Sequence, residues 1–140
     1  MLCHEIMNLY KQFRLKNYKA LFGTIREKDG SLSATEAYTA DVVYLLEDPT
    51  VTKLAETLNI SQPNATYKVN NLVSKGYVTK TTSEDDKREC HVQVCDRFFR
   101  YYSDSTSFID EAAARMETRY SADEISKFSE MLRFLTDSLN

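Results

Sequence analysis

Two short helical patterns joined by a tight linker constrain this chain more than any other feature of its sequence. The first pattern places Leu54, Ala55 and Leu58 on one helical face. The second repeats the spacing of about 3.6 residues with four apolar side chains, which are Ala65, Val69, Leu72 and Val73. Neither face is large enough to be buried alone, so the two helices are expected to pack against each other.

The linker between the patterns carries signals for a turn. Asn59 ends the first pattern, and Ser61 stands where an N-cap would accept a hydrogen bond from a first-turn amide of the next helix. Pro63 then falls within that first turn, where a missing N–H group is harmless. The sequence therefore predicts a helix, a tight turn and a second helix.

The outward side of the second helix is polar but contains no Asp or Glu. Its candidate DNA-binding residues are Gln62, Pro63, Asn64, Thr66, Tyr67, Lys68, Asn70 and Asn71. Amides, hydroxyls and a cation are the groups that read base edges and hold phosphates, and an Asn side chain can pair with adenine through two hydrogen bonds. We expect Asn64 and Tyr67, in the first two turns, to lie closest to the bases.

The start of the first helix and the residues after the second helix complete the predicted DNA-binding domain. Thr52 is a natural N-cap, which would direct Thr52 and Lys53 at a phosphate. After a stop signal at Lys75-Gly76, residues 77–81 and 91–95 alternate as strands around a polar loop, and Val51 is expected to add a one-residue strand. This order predicts a winged helix-turn-helix, the alternative being two core helices with an incidental hairpin.

Several of these segments together resemble the MarR family of bacterial dimeric winged-helix repressors. The resemblance is carried by Ile60-Ser61, the polar helix, residues 72–78, residues 83–88 and the Val92-x-Val94 strand. It implies that Arg88, at the tip of the wing, enters a minor groove while Asp86 orients it by an ion pair. Lys87 departs from the commoner Arg of the family motif, and the alternative reading of the wing is a solvated hairpin with a surface ion pair.

Helical patterns flank this domain on both sides. Residues 2–28 form one long amphipathic pattern that stops at Asp29-Gly30, and residues from Asp96 onward form two more. Ser33 with Glu36 and Ser121 with Glu124 each predict a capping box at the start of a helix. The helix that follows Ser33 is expected to bury Tyr38, Val42, Val43, Leu45 and Leu46. We expect a fold that is mainly α with a small β-hairpin wing (α+β), with 32–95 as the DNA-binding domain and 1–31 and 96–140 as a helical dimerisation region. A homodimer would present two recognition helices to a palindromic operator in double-stranded DNA, whereas the alternative is a monomeric bundle.

Aromatic and cysteine residues suggest further sites. Tyr10, Phe13, Tyr38 and Tyr44 are candidates for a small-molecule effector cleft, as found in the family, although aromatic stripes more often form core. An alternative based on Cys3 is a redox-sensing regulator. The three cysteines show no CxxC spacing and the two histidines lie far apart, so we expect no disulfide framework, no metal site and no cofactor.

Charge and composition limit the remaining functions. The chain has a net charge of −3, but residues 50–91 hold six Lys or Arg against five Asp or Glu, whereas residues 92–140 hold six against nine. A protein-interaction module that has lost DNA binding is therefore an alternative. No catalytic constellation or glycine-rich phosphate loop is present, so we do not expect an enzyme. The lack of a membrane-length apolar run or signal peptide predicts a cytoplasmic protein.

Overall fold

The computed structural model describes the backbone of residues 1–25, 32–82, 84–85 and 89–140, and the side chains of these residues apart from 21–25 and 101–105. The described part contains six helices and one hairpin. In chain order these are α1 (Leu2–Ile25), α2 (Ala34–Leu45), α3 (Val51–Leu58), α4 (Gln62–Ser74), β1 (Val78–Thr82), β2 (Cys90–Val94), α5 (Asp96–Arg119) and α6 (Ala122–Asp137). The predicted fold class, mainly α with a hairpin wing, is confirmed.

The chain divides into two compact units, Met1–Ser105 and Thr106–Asn140. The first contains α1 to α4, the hairpin and the beginning of α5, and the second contains the rest of α5 and α6. The predicted division into a DNA-binding domain and a dimerisation region concerns function, and it stays a prediction.

The core of the first unit lies among α2, α3, α4, the hairpin and the start of α5. Its fully buried side chains include Leu54, Leu72, Val78, Val92 and Phe98. The two faces predicted to pack together do so, because the apolar residues of α3 and α4 join this one cluster. Helix α4 is thereby fixed on its apolar side.

Helix α2 begins with the predicted capping box, in which Ser33 accepts from the Glu36 amide and the Glu36 side chain accepts from the Ser33 amide. Its buried side is narrower than the sequence suggested. Small residues line it, namely Ala37, Thr39, Ala40 and Val43. Tyr38 and Leu45, which we expected to be buried, are exposed because both lie on the side of α2 opposite that face.

Two predictions about the turn from α2 into α3 are wrong by one or two positions. Thr50, not Val51, makes the isolated β-bridge, which pairs with His91. Thr50 is also the N-cap of α3, where its hydroxyl accepts from the Lys53 amide at 3.0 Å, so Thr52 is not the cap. The reason is that Val51 already begins the helix, which leaves Thr52 and Lys53 in the first helical turn.

The hairpin is antiparallel, with Val78 paired to Val94 and Lys80 paired to Val92. Its strands start one residue away from the predicted bounds, and Val78 and Val92 point into the core. The Val92 amide donates to the Pro49 carbonyl at 2.9 Å, which fastens the wing to the turn before α3. The predicted wing-tip residues Asp86, Lys87 and Arg88 lie outside the described residues.

The long helices leave much apolar surface uncovered. The predicted stop of α1 at Asp29-Gly30 lies outside the described residues. The predicted capping box of Ser121 and Glu124 opens α6, and none of the α6 residues is buried. The exposed large apolar side chains on α1 and α6 include Leu9, Phe13, Leu15, Met131 and Phe134. In the part of the chain that the structure describes, no helix has the length and apolar character that crossing a membrane requires.

Candidate nucleic-acid interface

The turn between α3 and α4 forms as its residues dictate. Asn59 adopts a left-handed conformation with φ of 54°, which an Asn tolerates better than most side chains, and so ends α3. Ser61 caps α4 by accepting from the Asn64 amide at 3.3 Å, and Pro63 lies in the first turn. The predicted helix-turn-helix is confirmed in each of these details.

Helix α4 has one apolar and one polar side. Ala65, Val69 and Leu72 are fully buried. The exposed members of the predicted DNA-binding set are Gln62, Pro63, Asn64, Tyr67 and Asn70, whereas Thr66, Lys68 and Asn71 are half-buried. Tyr67 is 67% exposed, unusually open for an aromatic side chain in the middle of a helix. Its ring therefore projects into solvent from a surface without carboxylates.

The beginning of α4 is tied to α3 by side chains of the predicted set. Gln62 Nε2 donates to Thr52 Oγ1 at 3.1 Å. Thr52 and Lys53 are exposed in the first turn of α3, where free amides and the helix dipole favour an anion. The structure thus brings Thr52 and Gln62 together and places Lys53 on the same turn as Thr52.

A groove of about 410 Å³ lies between these helix ends and the hairpin. The polar side chains lining it are Thr50, Thr52, Gln62, Thr66, Lys80 and Glu89. Lys80 and Glu89 carry opposite charges, so the groove has hydroxyls and an amide on its helical side and one charge of each sign on its hairpin side. Such a surface offers donors to a phosphate at one end and repels it at the other.

Lys80 was not predicted to belong to the site. From β1 its Nζ donates to Asn70 Oδ1 at 2.7 Å, which links the hairpin to α4. The sequence shows only an alternating strand residue at this position, and ten residues separate it from Asn70. A contact of this kind depends on how the hairpin folds back over the helix, which no local pattern reveals.

Two further contacts hold the end of α4. Lys75 Nζ pairs with both carboxylate oxygens of Glu36 in α2, at 2.9 and 3.0 Å. Burial alone would raise the pKa of Glu36, but hydrogen bonds from Lys75 and Ser33 outweigh it and hold that pKa below its ordinary value. Arg97, at the start of α5, donates to the Lys75 carbonyl at 2.6 Å while its guanidinium lies 4.6 Å from the centre of the Tyr77 ring.

Charged groups also meet at the base of the wing. His91 Nδ1 lies 3.2 Å from the Asp48 carbonyl oxygen, and its two ring nitrogens lie 3.6 Å from carboxylate oxygens of Asp48 and Glu89. The hydrogen bond to the Asp48 carbonyl, helped by both carboxylates, raises the pKa of His91 above its ordinary value. The strand that returns from the wing tip is thereby anchored, whereas Glu84 and Asp85 on the loop are exposed.

Comparison with known proteins agrees with this geometry. Residues 31–89, which include α2 to α4 and the first strand of the hairpin, match the model of the MarR family. The match covers 59 of the 140 residues, so the likeness to this family is shown for that segment. No curated protein matches the sequence.

Solved structures extend the likeness of fold to the whole chain. A mutant form of MepR from a multidrug-resistant S. aureus clinical isolate superposes with a TM-score of 0.69 at 15% identity, covering 100% of this chain and 98% of its own. FabT of Streptococcus pneumoniae in complex with DNA gives 0.55 at 23% identity, covering 97% and 96%. A mutant of MarR from E. coli complexed with operator DNA gives 0.54 at 17% identity, covering 94% and 93%. The chain therefore has the fold of MarR-family DNA-binding regulators.

The four predicted effector residues lie on two helices, two on α1 and two on α2. Tyr10 and Phe13 are exposed on α1, and the Arg14 guanidinium lies 5.5 Å from the centre of the Tyr10 ring. Tyr38 on α2 is exposed, and Tyr44 packs on Phe98 with 5.5 Å between ring centres. An effector cleft formed by these four residues stays a prediction.

In the part of the chain that is described, no group of three or more cysteine, histidine or carboxylate side chains is placed to hold a metal ion. Cys3 is exposed on α1, and Cys90 is half-buried beside the groove. Cys95 is half-buried at the end of β2 and its thiol donates to the Gly76 carbonyl at 2.7 Å. Cys95 thus takes part in the turn that follows α4, a contact that sequence reasoning did not anticipate.

Proposed function

We propose that this chain is a sequence-specific DNA-binding transcriptional regulator that acts as a repressor by occupying an operator. The observation that carries this proposal is the outward side of α4, a carboxylate-free surface with an exposed tyrosine between Asn64 and Asn70. Such a surface is suited to the major groove, where amides and hydroxyls pair with base edges. Thr52, Lys53, Thr66, Lys68 and the wing residues 86–88 contact the phosphate backbone and the neighbouring groove in this proposal.

The proposed regulator is a homodimer that binds a palindromic operator. Support comes from the apolar side chains that α1 and α6 leave exposed, of which Phe134 is 76% exposed. A second copy would cover such surface, whereas a monomer would leave it in water. Sedimentation equilibrium tests this directly. We expect a dimer for the parent chain and a shift towards monomer for Phe134→Glu, whereas a parent chain that stays monomeric would exclude this part of the proposal.

A small molecule that binds among Tyr10, Phe13, Tyr38 and Tyr44 would release the operator by favouring a different spacing of the two recognition helices. The observation in favour is that the side chains of Tyr10 on α1 and Tyr38 on α2 are exposed. The proposed place of action is the bacterial cytoplasm, and no cofactor or catalytic activity is included in the proposal.

The deciding experiment measures binding to duplex DNA. An operator is first selected from a random duplex pool with the full chain, and its affinity is then measured by fluorescence anisotropy at two salt concentrations. We expect Tyr67→Ala to weaken binding by about 1 to 3 kcal/mol, because loss of a base-edge contact has that cost. Tyr67→Phe is the matched control, since it keeps the ring and removes only the hydroxyl.

A protein-interaction module of the same fold is the second candidate, favoured by the exposed acids Glu84 and Asp85 on the wing loop and by the overall charge of −3. The two functions differ in their response to salt. A DNA-binding regulator releases counterions and binds less tightly as salt rises. A chain that is not retained on any duplex at low ionic strength would favour the interaction module.

A further inference from the structure

The hydrogen bond between Lys80 and Asn70 determines which groups the third turn of α4 can offer to a base. Lys80 Nζ lies 2.7 Å from Asn70 Oδ1, and both side chains are exposed. An ammonium group has donors and no acceptor, so the Asn70 atom that it contacts must be the oxygen. The amide orientation of Asn70 is therefore set by chemistry, and its NH2 group is the end left to face a ligand.

This orientation changes the base that Asn70 suits. Pairing with adenine requires an asparagine to accept from the adenine amino group and to donate to N7 at the same time. One lone pair of the Asn70 oxygen is taken by Lys80 and the oxygen is turned towards the hairpin, so Asn70 presents its NH2 donors outwards, and Lys80 adds the remaining N–H groups of its ammonium. The two side chains together present a cluster of donors, with the accepting oxygen turned away from the ligand side.

Asn70 is well placed to use these donors. It lies three residues after Tyr67 and seven after Pro63, a spacing that puts all three on one line along the helix. That line is opposite Ala65 and Leu72, which are fully buried, so it is the part of α4 most distant from the core. Any duplex that lies against Tyr67 would also meet Asn70.

We propose that Lys80 and Asn70 act as one reading unit that selects guanine over adenine in each half-site. Guanine presents two neighbouring acceptors, N7 and O6, on its major-groove edge, whereas adenine presents one acceptor and one donor. The donor of adenine would meet N–H groups and remain unpaired. This inference rests on the proposed DNA-binding function, and it makes Lys80 a positioning residue for Asn70 as well as a direct contact.

The test compares the bases selected by the parent chain and by two variants. Lys80→Met keeps the length of the side chain but frees the Asn70 oxygen, and Lys80→Arg keeps a donor next to it. Two operator duplexes are compared that differ only in having guanine or adenine at the base facing Asn70. We expect the parent and Lys80→Arg to bind the guanine duplex about 5- to 100-fold more tightly than the adenine duplex, the range of discrimination for a paired base contact. In Lys80→Met the preference should fall to less than about threefold or turn towards adenine, as expected for an asparagine with a free oxygen.

Two further comparisons separate a base contact from a phosphate contact. Replacing the selected guanine by 7-deazaguanine removes N7 and should weaken binding of the parent chain but not of Lys80→Met. Lys53→Met, which removes a cation from α3, should weaken all duplexes alike. The inference is overturned if the parent selects adenine or if Lys80→Met keeps the guanine preference. It is also overturned if Lys80→Met lowers the affinity for every duplex by the same factor. A parent chain that binds no duplex would instead exclude the proposed function itself.

Discussion

The ion pair between Lys75 and Glu36 offers a sharp test of what holds α4 in place. The side chains are 30% and 17% exposed and their closest atoms are 2.9 Å apart. At this distance the Coulomb energy is about 1.4 kcal/mol in water and roughly twice that at half the dielectric constant of water. Part of this gain is offset by desolvation of the two groups. We therefore expect Lys75→Met to lower the free energy of unfolding by about 1 to 2 kcal/mol at pH 7.

The chain contains a matched control for this substitution. Lys127 pairs with Glu130 at 3.0 Å, a similar distance, but these side chains are 60% and 67% exposed. Lys127→Met should therefore cost less than about 0.5 kcal/mol. Urea denaturation of the two variants and the parent, at one protein concentration, measures both effects. Equal losses in the two variants would show that burial does not strengthen the Lys75 pair and would refute the reasoning.

The pH dependence provides a second check on the same pair. The pKa of Glu36 is lowered from 4.5 in the folded chain, so its contribution to stability is present above that value and is lost as pH falls through the folded pKa. The difference between the parent and Lys75→Met should accordingly shrink in acid. A difference that stays constant from pH 7 down to pH 3 would mean that the stability comes from packing of the lysine stem and not from its charge.

Three other substitutions test separate parts of the structure. Burial raises the pKa of Asp41 from 3.8 to about 6, so the ionised carboxylate opposes folding as pH rises through that value. Asp41→Asn should therefore raise the free energy of unfolding by about 1 to 3 kcal/mol at pH 7.5 and give no gain at pH 4, as measured by urea denaturation. Ser61→Ala removes the N-cap of α4 and should cost about 1 kcal/mol in the same assay, whereas an unchanged stability would mean that water replaces the cap. Arg88→Ala should weaken operator binding by about 1 to 3 kcal/mol in an anisotropy titration and leave dimerisation unchanged, and an affinity equal to that of the parent would remove the wing from the proposed interface.

Local signals in the sequence predicted the parts of the fold that depend on neighbouring residues. The capping boxes at Ser33 and Ser121 and the cap at Ser61 are all present, because each needs only a hydroxyl and an amide three residues further on. The left-handed Asn59 likewise needs no distant partner. The one failure of this kind concerned Thr50 and Thr52, two threonines on either side of Val51, of which either could cap α3 by sequence alone.

The contacts that orient the candidate site were beyond the reach of such signals. Lys80, Arg97 and Cys95 all touch residues that lie ten or more positions away in the chain. Their roles depend on the path of the hairpin and on the place where α5 begins relative to the end of α4. The narrow buried side of α2 was missed for the same reason, since tertiary packing decided which of its flanks is covered.

These distant polar contacts have a common physical role. The buried side of α4 consists of Ala65, Val69 and Leu72, whose packing is favourable but not directional. Apolar burial alone would tolerate a small rotation of the helix about its axis, and such a rotation would move every outward side chain relative to a base edge. Hydrogen bonds have narrow limits of distance and angle, so the contacts of Gln62 with Thr52, Asn70 with Lys80 and Lys75 with Glu36 restrict that rotation at the start, the third turn and the end of α4. A helix that reads bases needs this restriction more than one that merely fills a core, because a displacement of about 1 Å is enough to weaken a positioned contact.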